Sequence, residues 1–184
     1  MSNDIQDVVI NGGGPAGATS ASFLSMWGHQ VTLLEKEKFP RDHVGESLLP
    51  FCYKLFGELG LLDQMKANFV RKPGVRFVDS DGTHSTTWCF NRVIPDESFL
   101  SFQVARSDFD KLQLDHARRN GATVCEESRV EDVQIDTPDG IVKVQVVDPQ
   151  GDRYSLRARF LSEELKSLPR IKHQVGGRMK MLPI

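Results

Sequence analysis

From Asp7 to Glu35 the sequence sets an apolar triplet, Val8 to Ile10, a short step before three consecutive glycines, then a small-residue stretch, a second apolar run at Val31 to Leu34, and an acid. That order predicts a strand, a glycine turn, a helix and a parallel second strand, the opening of an α/β fold. Gly12, Gly14 and Gly17 keep GxGxxG spacing, and Glu35 lies 18 residues past the last of them. Such a turn presents unpaired N–H groups and the positive end of a helix dipole to an anion, with room at Gly14 for close approach to a pyrophosphate. Pro15 suits the first helical position, and Gly17, Ser20, Ala21, Leu24 and Gly28 predict one face able to lie on a sheet. Glu35 can accept hydrogen bonds from a ribose diol, which favours an adenine dinucleotide without a 2′-phosphate. Glycine turns also recur in proteins that bind nothing; here strand, helix and distal acid agree on the dinucleotide. Asn11 is out of pattern, because a strand covered on both faces calls for an apolar residue there.

Composition removes several classes. With 26% charged residues and a net charge of −2, no electrostatic case exists for nucleic acid or an anionic membrane. The first strand starts near Asp7, which leaves no room for a leader ahead of it, and no apolar stretch reaches the length of a membrane span. Cys52, Cys89 and Cys125 are widely spaced without a CxxC partner, which predicts buried reduced thiols and a cytoplasmic protein. Five scattered histidines show no HxH or HExxH spacing, so no metal site is predicted. A length of 184 residues suffices for one well-buried domain.

Beyond Glu35 the strict strand–helix alternation stops. Residues 36–49 read as a charged loop, followed by helices from about Pro50 to Phe56 and from Leu59 to Phe69. Val75 to Val78 and Thr83 to Phe90 predict a hairpin turning at Asp81 and Gly82, and Phe99 to Ala105 another strand, which together would form a small sheet. Ser107 and Asp110 make a capping-box pattern for a helix that ends at Gly121. Ala122 to Cys125 reads as the next parallel strand. Val130 to Ile135, Ile141 to Val147 and Tyr154 to Phe160 then read as an antiparallel meander turning at two Pro-x-Gly steps. From Leu165 to Ile184 the chain has five Lys or Arg and no acid, which predicts a frayed, solvated tail.

Four segments, GGGPAGA, LLEKEKFPRDHVGESLLP, KPGVRF and FQVARSDFDKLQLDHARRNGA, together resemble the flavin-dependent, tryptophan halogenase-like family. That family lies within the FAD monooxygenases related to aromatic hydroxylases and geranylgeranyl reductases. The resemblance implies a Rossmann-like FAD-binding domain, three-layered and of glutathione-reductase type, over residues 1–161. It also implies a small β-sheet inserted at about 70–105 and an irregular tail over 162–184. It carries Gly12, Gly14, Ala16 and Gly17 onto the pyrophosphate turn and Glu35 onto the ribose acid. Arg41 and Arg106 become flavin contacts, with surface ion pairs as the plain alternative. Gly45, Glu46 and Ser47 fall on a turn near the isoalloxazine end, where Glu46 could instead cap a helix. Val130 falls where main-chain groups would meet adenine. Lys72 matches the lysine that holds hypohalous acid in the family; a solvated loop charge is the alternative.

The implied activity is a halogenase or monooxygenase reaction of reduced FAD and oxygen on a small aromatic or pyrrolic substrate, free or carrier-bound. A separate flavin reductase would supply the reduced FAD. After RARF the sequence leaves the family pattern, and neither the expected GD motif nor WxWxIP follows, so the chain reads as an amino-terminal portion that could be inactive alone. Two other readings stand beside this one: a non-catalytic dinucleotide-binding fragment, and a geranylgeranyl reductase-like flavoprotein. VGESLLP in place of a Cys-containing turn disfavours the last.

Overall fold

The computed structural model describes residues 4–135 and 137–163. Strand β1 (Ile5–Asn11) leads through the glycine turn into helix α1 (Pro15–Met26) and strand β2 (Val31–Leu34). Helices α2 (Cys52–Glu58) and α3 (Leu62–Asn68) follow, then strands β3 (Val70–Lys72), β4 (Gly74–Val78), β5 (Ser85–Cys89) and β6 (Ser101–Gln103). Helix α4 (Arg106–Arg119) returns the chain to the main sheet at β7 (Thr123–Cys125), and β8 (Arg129–Gln134), β9 (Val142–Val147) and β10 (Arg153–Glu163) complete the described part.

The main sheet has the order β7-β2-β1-β10-β9-β8, parallel from β7 to β10 and antiparallel beyond it. Strand β10 belongs to both halves: its first residues pair with β9 and its later ones with β1. Alternation along the strands makes two cores. Val8, Ile10, Val31 and Leu33 pack with Ala18, Ala21, Leu114 and Ala117 of α1 and α4. Val9 and Leu34 point the other way, onto Val130, Val142, Val144 and Val146 of the meander. Helices therefore cover one face of the parallel strands and the meander end of the same sheet covers the other, three layers in a Rossmann-like arrangement. Over β10 no described residue covers the helix-side face at Phe160, which pairs with Val8 and is 68% exposed.

A third core joins α2, α3, β6 and α4. Phe56 meets Phe102 and Phe109 edge-on, with Tyr53, Leu61 and Met65 around them. Burial of each such ring stabilises the fold by roughly 1.5–3 kcal/mol. This cluster fixes the small β3–β6 pair against the start of α4. The β4–β5 hairpin stands apart as its own two-stranded sheet.

Several expectations need correction. The buried face of α1 is Gly17, Ala18, Ala21 and Ser22, whereas Ser20 is only half-buried and Gly28 is exposed beyond the helix end. No capping box opens α4: Ala105 is the N-cap, and Asp110 is drawn to Arg106 instead. The β4–β5 connection is a six-residue loop, 79–84, rather than a two-residue turn. Strand β3 was not foreseen, because three residues are too few to show a period. The cysteines are half-buried rather than core residues. Among the described residues no helix is long and apolar enough to cross a membrane. The basic stretch from Leu165 lies outside the described residues.

On α4, His116 is buried and hydrogen-bonded to the Leu59 main chain, and its Nε2 has no partner among the described residues. Burial, helped by Arg119, holds its pKa below the ordinary histidine value. The unfolded chain then takes up a proton that the folded chain refuses, so this stabilisation is complete above about pH 6.5 and fades below it. Denaturant midpoints should fall between pH 7 and pH 5.5, and His116→Gln should flatten that fall. An unchanged slope in the variant would place the pH dependence elsewhere.

Candidate functional site

The glycine turn begins where β1 ends. Gly12 donates to the Leu34 carbonyl at 2.8 Å and has φ 114°, a backbone angle that side chains rarely tolerate. At Gly17 the chain crosses its own turn: a Cβ there would stand 2.0 Å from the Gly12 carbonyl oxygen. Helix α1 starts at Pro15 with Gly14 as N-cap, no side-chain cap and no acid in its first turn, and Ala16 is exposed there. A helix start of this kind offers N–H groups and positive potential to an anion.

Glu35 follows β2 and is 4% exposed. Its Oε2 accepts from the Gly13 N–H at 2.7 Å and its Oε1 from the Glu37 N–H at 2.9 Å. Sequence reasoning passed over Gly13, which lies outside the GxGxxG positions. A Cβ on it would meet Glu35 Cβ at 3.1 Å. The unbroken glycine triplet was the available signal. An ionised carboxylate has about four acceptor sites, so two hydrogen bonds leave capacity for a diol.

Arg41 reaches the same acid. Its Nη2 lies 3.7 Å from Glu35 Oε2 and its Nη1 3.2 Å from Glu37, with the guanidinium 4.8 Å from the centre of the Phe39 ring. The side chain is 14% exposed, so this is not a surface pair. Its Nε is buried without a hydrogen-bond partner among the described residues. The chain entering β8 passes here too, because Ser128 donates to the Glu35 carbonyl. Val130, two residues on, packs its side chain into the meander core, which leaves only main-chain groups for a ligand.

The remaining candidates gather on the loop after Phe39. Arg106, at the start of α4, makes a bidentate pair with Asp110 at 2.7 and 2.8 Å and donates to the Val44 carbonyl at 2.8 Å. Asp110 is fully buried and Arg106 12% exposed, so this too is an interior pair. The i,i+4 spacing was readable in the sequence as an alternative to the capping box. Beside Val44, Gly45 turns the chain, and the Glu46 carbonyl accepts from Val104 at 2.8 Å. Glu46 caps no helix; its carboxylate faces Gln103 at 3.5 Å. Ser47 bridges Gln103, and Leu48 donates to the Phe102 carbonyl. The Gly-Glu-Ser turn is thereby stitched to β6 along the edge opposite β3. Lys72 on β3 reaches back to it: Nζ donates to Ser47 Oγ at 2.6 Å and lies 5.3 Å from the centre of the Phe90 ring. Burial lowers the Lys72 pKa from the ordinary lysine range.

The candidates thus fall into two groups. Gly12, Gly14, Ala16, Gly17, Glu35 and Arg41 surround the turn, with Val130 reached through Ser128. Gly45, Glu46, Ser47, Lys72 and Arg106 surround the loop. At the hairpin loop Asp79, Asp81 and His84 also converge, but they are exposed and hydrogen-bonded to Thr83 and to one another.

The family model described as tryptophan halogenase matches residues 7–102, which hold the turn, the acid, the loop and Lys72. The chain belongs to this family. A 1H-pyrrole-2-carbonyl-[peptidyl-carrier protein] chlorinase of Pseudomonas fluorescens is 34% identical over 77% of this chain and 35% of its own length. A flavin-dependent halogenase of Armillaria mellea is 35% identical over 79% of this chain and 29% of its own. Among solved structures, the myxobacterial chondrochloren halogenase CndH superposes with a TM-score of 0.79 at 37% identity, over 87% of this chain and 37% of that one. The chain therefore spans about a third of the length of the halogenases it matches.

The Arg106–Asp110 pair is open to a direct stability test. Asp110→Ala removes both bonds of a bidentate carboxylate from a buried guanidinium, which should cost on the order of 3–5 kcal/mol in urea unfolding. Hydrogen exchange over residues 41–50 should rise as the Val44 tether loosens. A loss under 1 kcal/mol with unchanged exchange would show that the pair does not hold the loop.

Proposed function

We propose that this chain is the FAD-binding part of a flavin-dependent halogenase that acts on an electron-rich aromatic or pyrrolic substrate. The single observation that carries the reading is the turn: a helix start without an acid, crossed so tightly at Gly17 that no side chain fits, beside a buried carboxylate with acceptor capacity left. The residues present suit a dinucleotide. Main-chain N–H groups around Gly14 would hold the diphosphate, Glu35 the adenosine ribose, and main-chain groups near Val130 the adenine. Arg41, paired with Glu35, adds a guanidinium beside this region. Arg106 acts on the flavin side by holding the 41–50 loop in place.

When bound and reduced by a separate flavin reductase, FAD would supply the oxidation of halide by oxygen. The protein's own part is position and polarisation. Lys72 donates a hydrogen bond from its ammonium to hypohalous acid, which draws electron density from the halogen and turns it toward the substrate ring. An ammonium is needed for this, since a neutral amine would itself be halogenated. The Phe90 ring covers one side of the Lys72 head and limits water there. Three half-buried thiols outside any disulfide favour a reducing, cytoplasmic setting.

Joined to the remainder of a family-length halogenase and supplied with reduced FAD, oxygen, chloride or bromide and a carrier-bound or free pyrrole, this chain should give halide-dependent product. Lys72→Ala should lower that product at least a hundredfold while flavin stays bound. Hydroxylated product independent of halide, or undiminished halogenation by the variant, would overturn the reading.

A further inference from the structure

Lys72 does not hang in a loop; it is aimed across a strand. In the small sheet Lys72 pairs with Ser101 on one side of β6, and Ser47 bridges Gln103 on the other. Residues 101 and 103 share a face, so Lys72 and Ser47 share it as well. Arg71 takes the opposite face, with its guanidinium over the Tyr53 and Phe102 rings and its Nε on the Leu100 carbonyl. Two strand spacings are roughly 9.5 Å, the reach of an extended lysine, a hydrogen bond and a serine hydroxyl. The contact of 2.6 Å closes that span.

Neighbouring charges leave this contact alone. Glu46 is turned to Gln103, and Lys66 and Arg71 pair with Glu97. Among the described residues Ser47 is the sole hydrogen-bond acceptor of Lys72, and no carboxylate pairs with it. Partial burial works against its charge. Only the Ser47 oxygen and the Phe90 ring face favour it.

We propose that Ser47 is the positioning residue of this site: its hydroxyl fixes Lys72 Nζ at one point above β6 and, by accepting from it, keeps the group an ammonium. One of three ammonium donors is spent on Ser47, which leaves two for an incoming oxygen-bearing ligand. The proposal rests on Lys72 as the group that directs the halogen, but its geometry can be tested without any turnover. It also gives the Gly-Glu-Ser turn a task apart from flavin contact. The turn carries the serine to the edge of β6, where the lysine from the far strand can reach it.

The test is amine reactivity in the full chain, with and without FAD. Acylation of Lys72 by a small amine-directed reagent is followed by peptide mass spectrometry across pH 7 to 10 and normalised to an exposed lysine of the same molecule. Ser47→Ala removes the acceptor, lowers the pKa of Lys72, and should raise its acylation at pH 8 roughly three- to tenfold. Ser47→Thr keeps the oxygen and should restore the original rate. Equal rates in wild type and Ser47→Ala, or a rise of the same size in Ser47→Thr, would overturn the proposal. Ser47 is exposed and its backbone bridge survives either change, so both variants should fold. Failure of Lys72→Ala to abolish halogenation would instead remove the chemical reading and leave the Ser47–Lys72 contact standing.

Discussion

The hydrogen bond from the Gly13 N–H to the buried Glu35 carboxylate, 2.7 Å long, ties the ends of β1 and β2 into one unit. Around it the register is closed: Gly12 donates to Leu34, Glu35 donates to the Cys125 carbonyl, and Ser128 donates back to Glu35. Three parallel strands and the entry to the meander therefore meet around one residue, Glu35, through its main chain and its carboxylate. A carboxylate held by main-chain donors in this way is pre-set as an acceptor.

From that point the packing extends in two directions. Small residues on α1 let the helix lie close on β1 and β2, and α4 packs beside α1 through Leu114 and Ala117. The start of α4 carries Arg106, whose buried pair with Asp110 tethers the loop that bears Gly45, Glu46 and Ser47. The aromatic cluster of Phe56, Phe102 and Phe109 locks β6 to the same helix. A tight turn at one end and a lysine on a short strand at the other are thus linked through one helix and one core. Exposed Phe77, Trp88 and Phe160 lie on faces that the described residues do not cover.

Much of this was legible in the residues. Period-2 alternation gave β8, β9 and β10, and glycine spacing with Pro15 gave the turn and the start of α1. The family resemblance rested on motifs that the structure places at the turn, the loop and the start of α4. What escaped was long-range or too short to have a period. No local pattern says that Glu35 reaches back 22 residues to Gly13, or that Ser47 and Lys72 meet across a strand between them. The capping-box reading of Ser107 and Asp110 failed because a buried guanidinium binds a carboxylate more strongly than a first-turn amide does. Gly28 was placed on a packing face by spacing alone, and the helix ends before it.

Calorimetric titration of the folded chain with FAD tests the central claim most directly, alongside the same titration of Glu35→Ala. Saturable one-to-one binding, weakened at least tenfold in the variant, is the predicted result, a difference of about 1.4 kcal/mol or more. A well-folded chain that gives no heat with FAD or any adenine nucleotide, or a variant that binds as tightly as the wild type, would contradict the account.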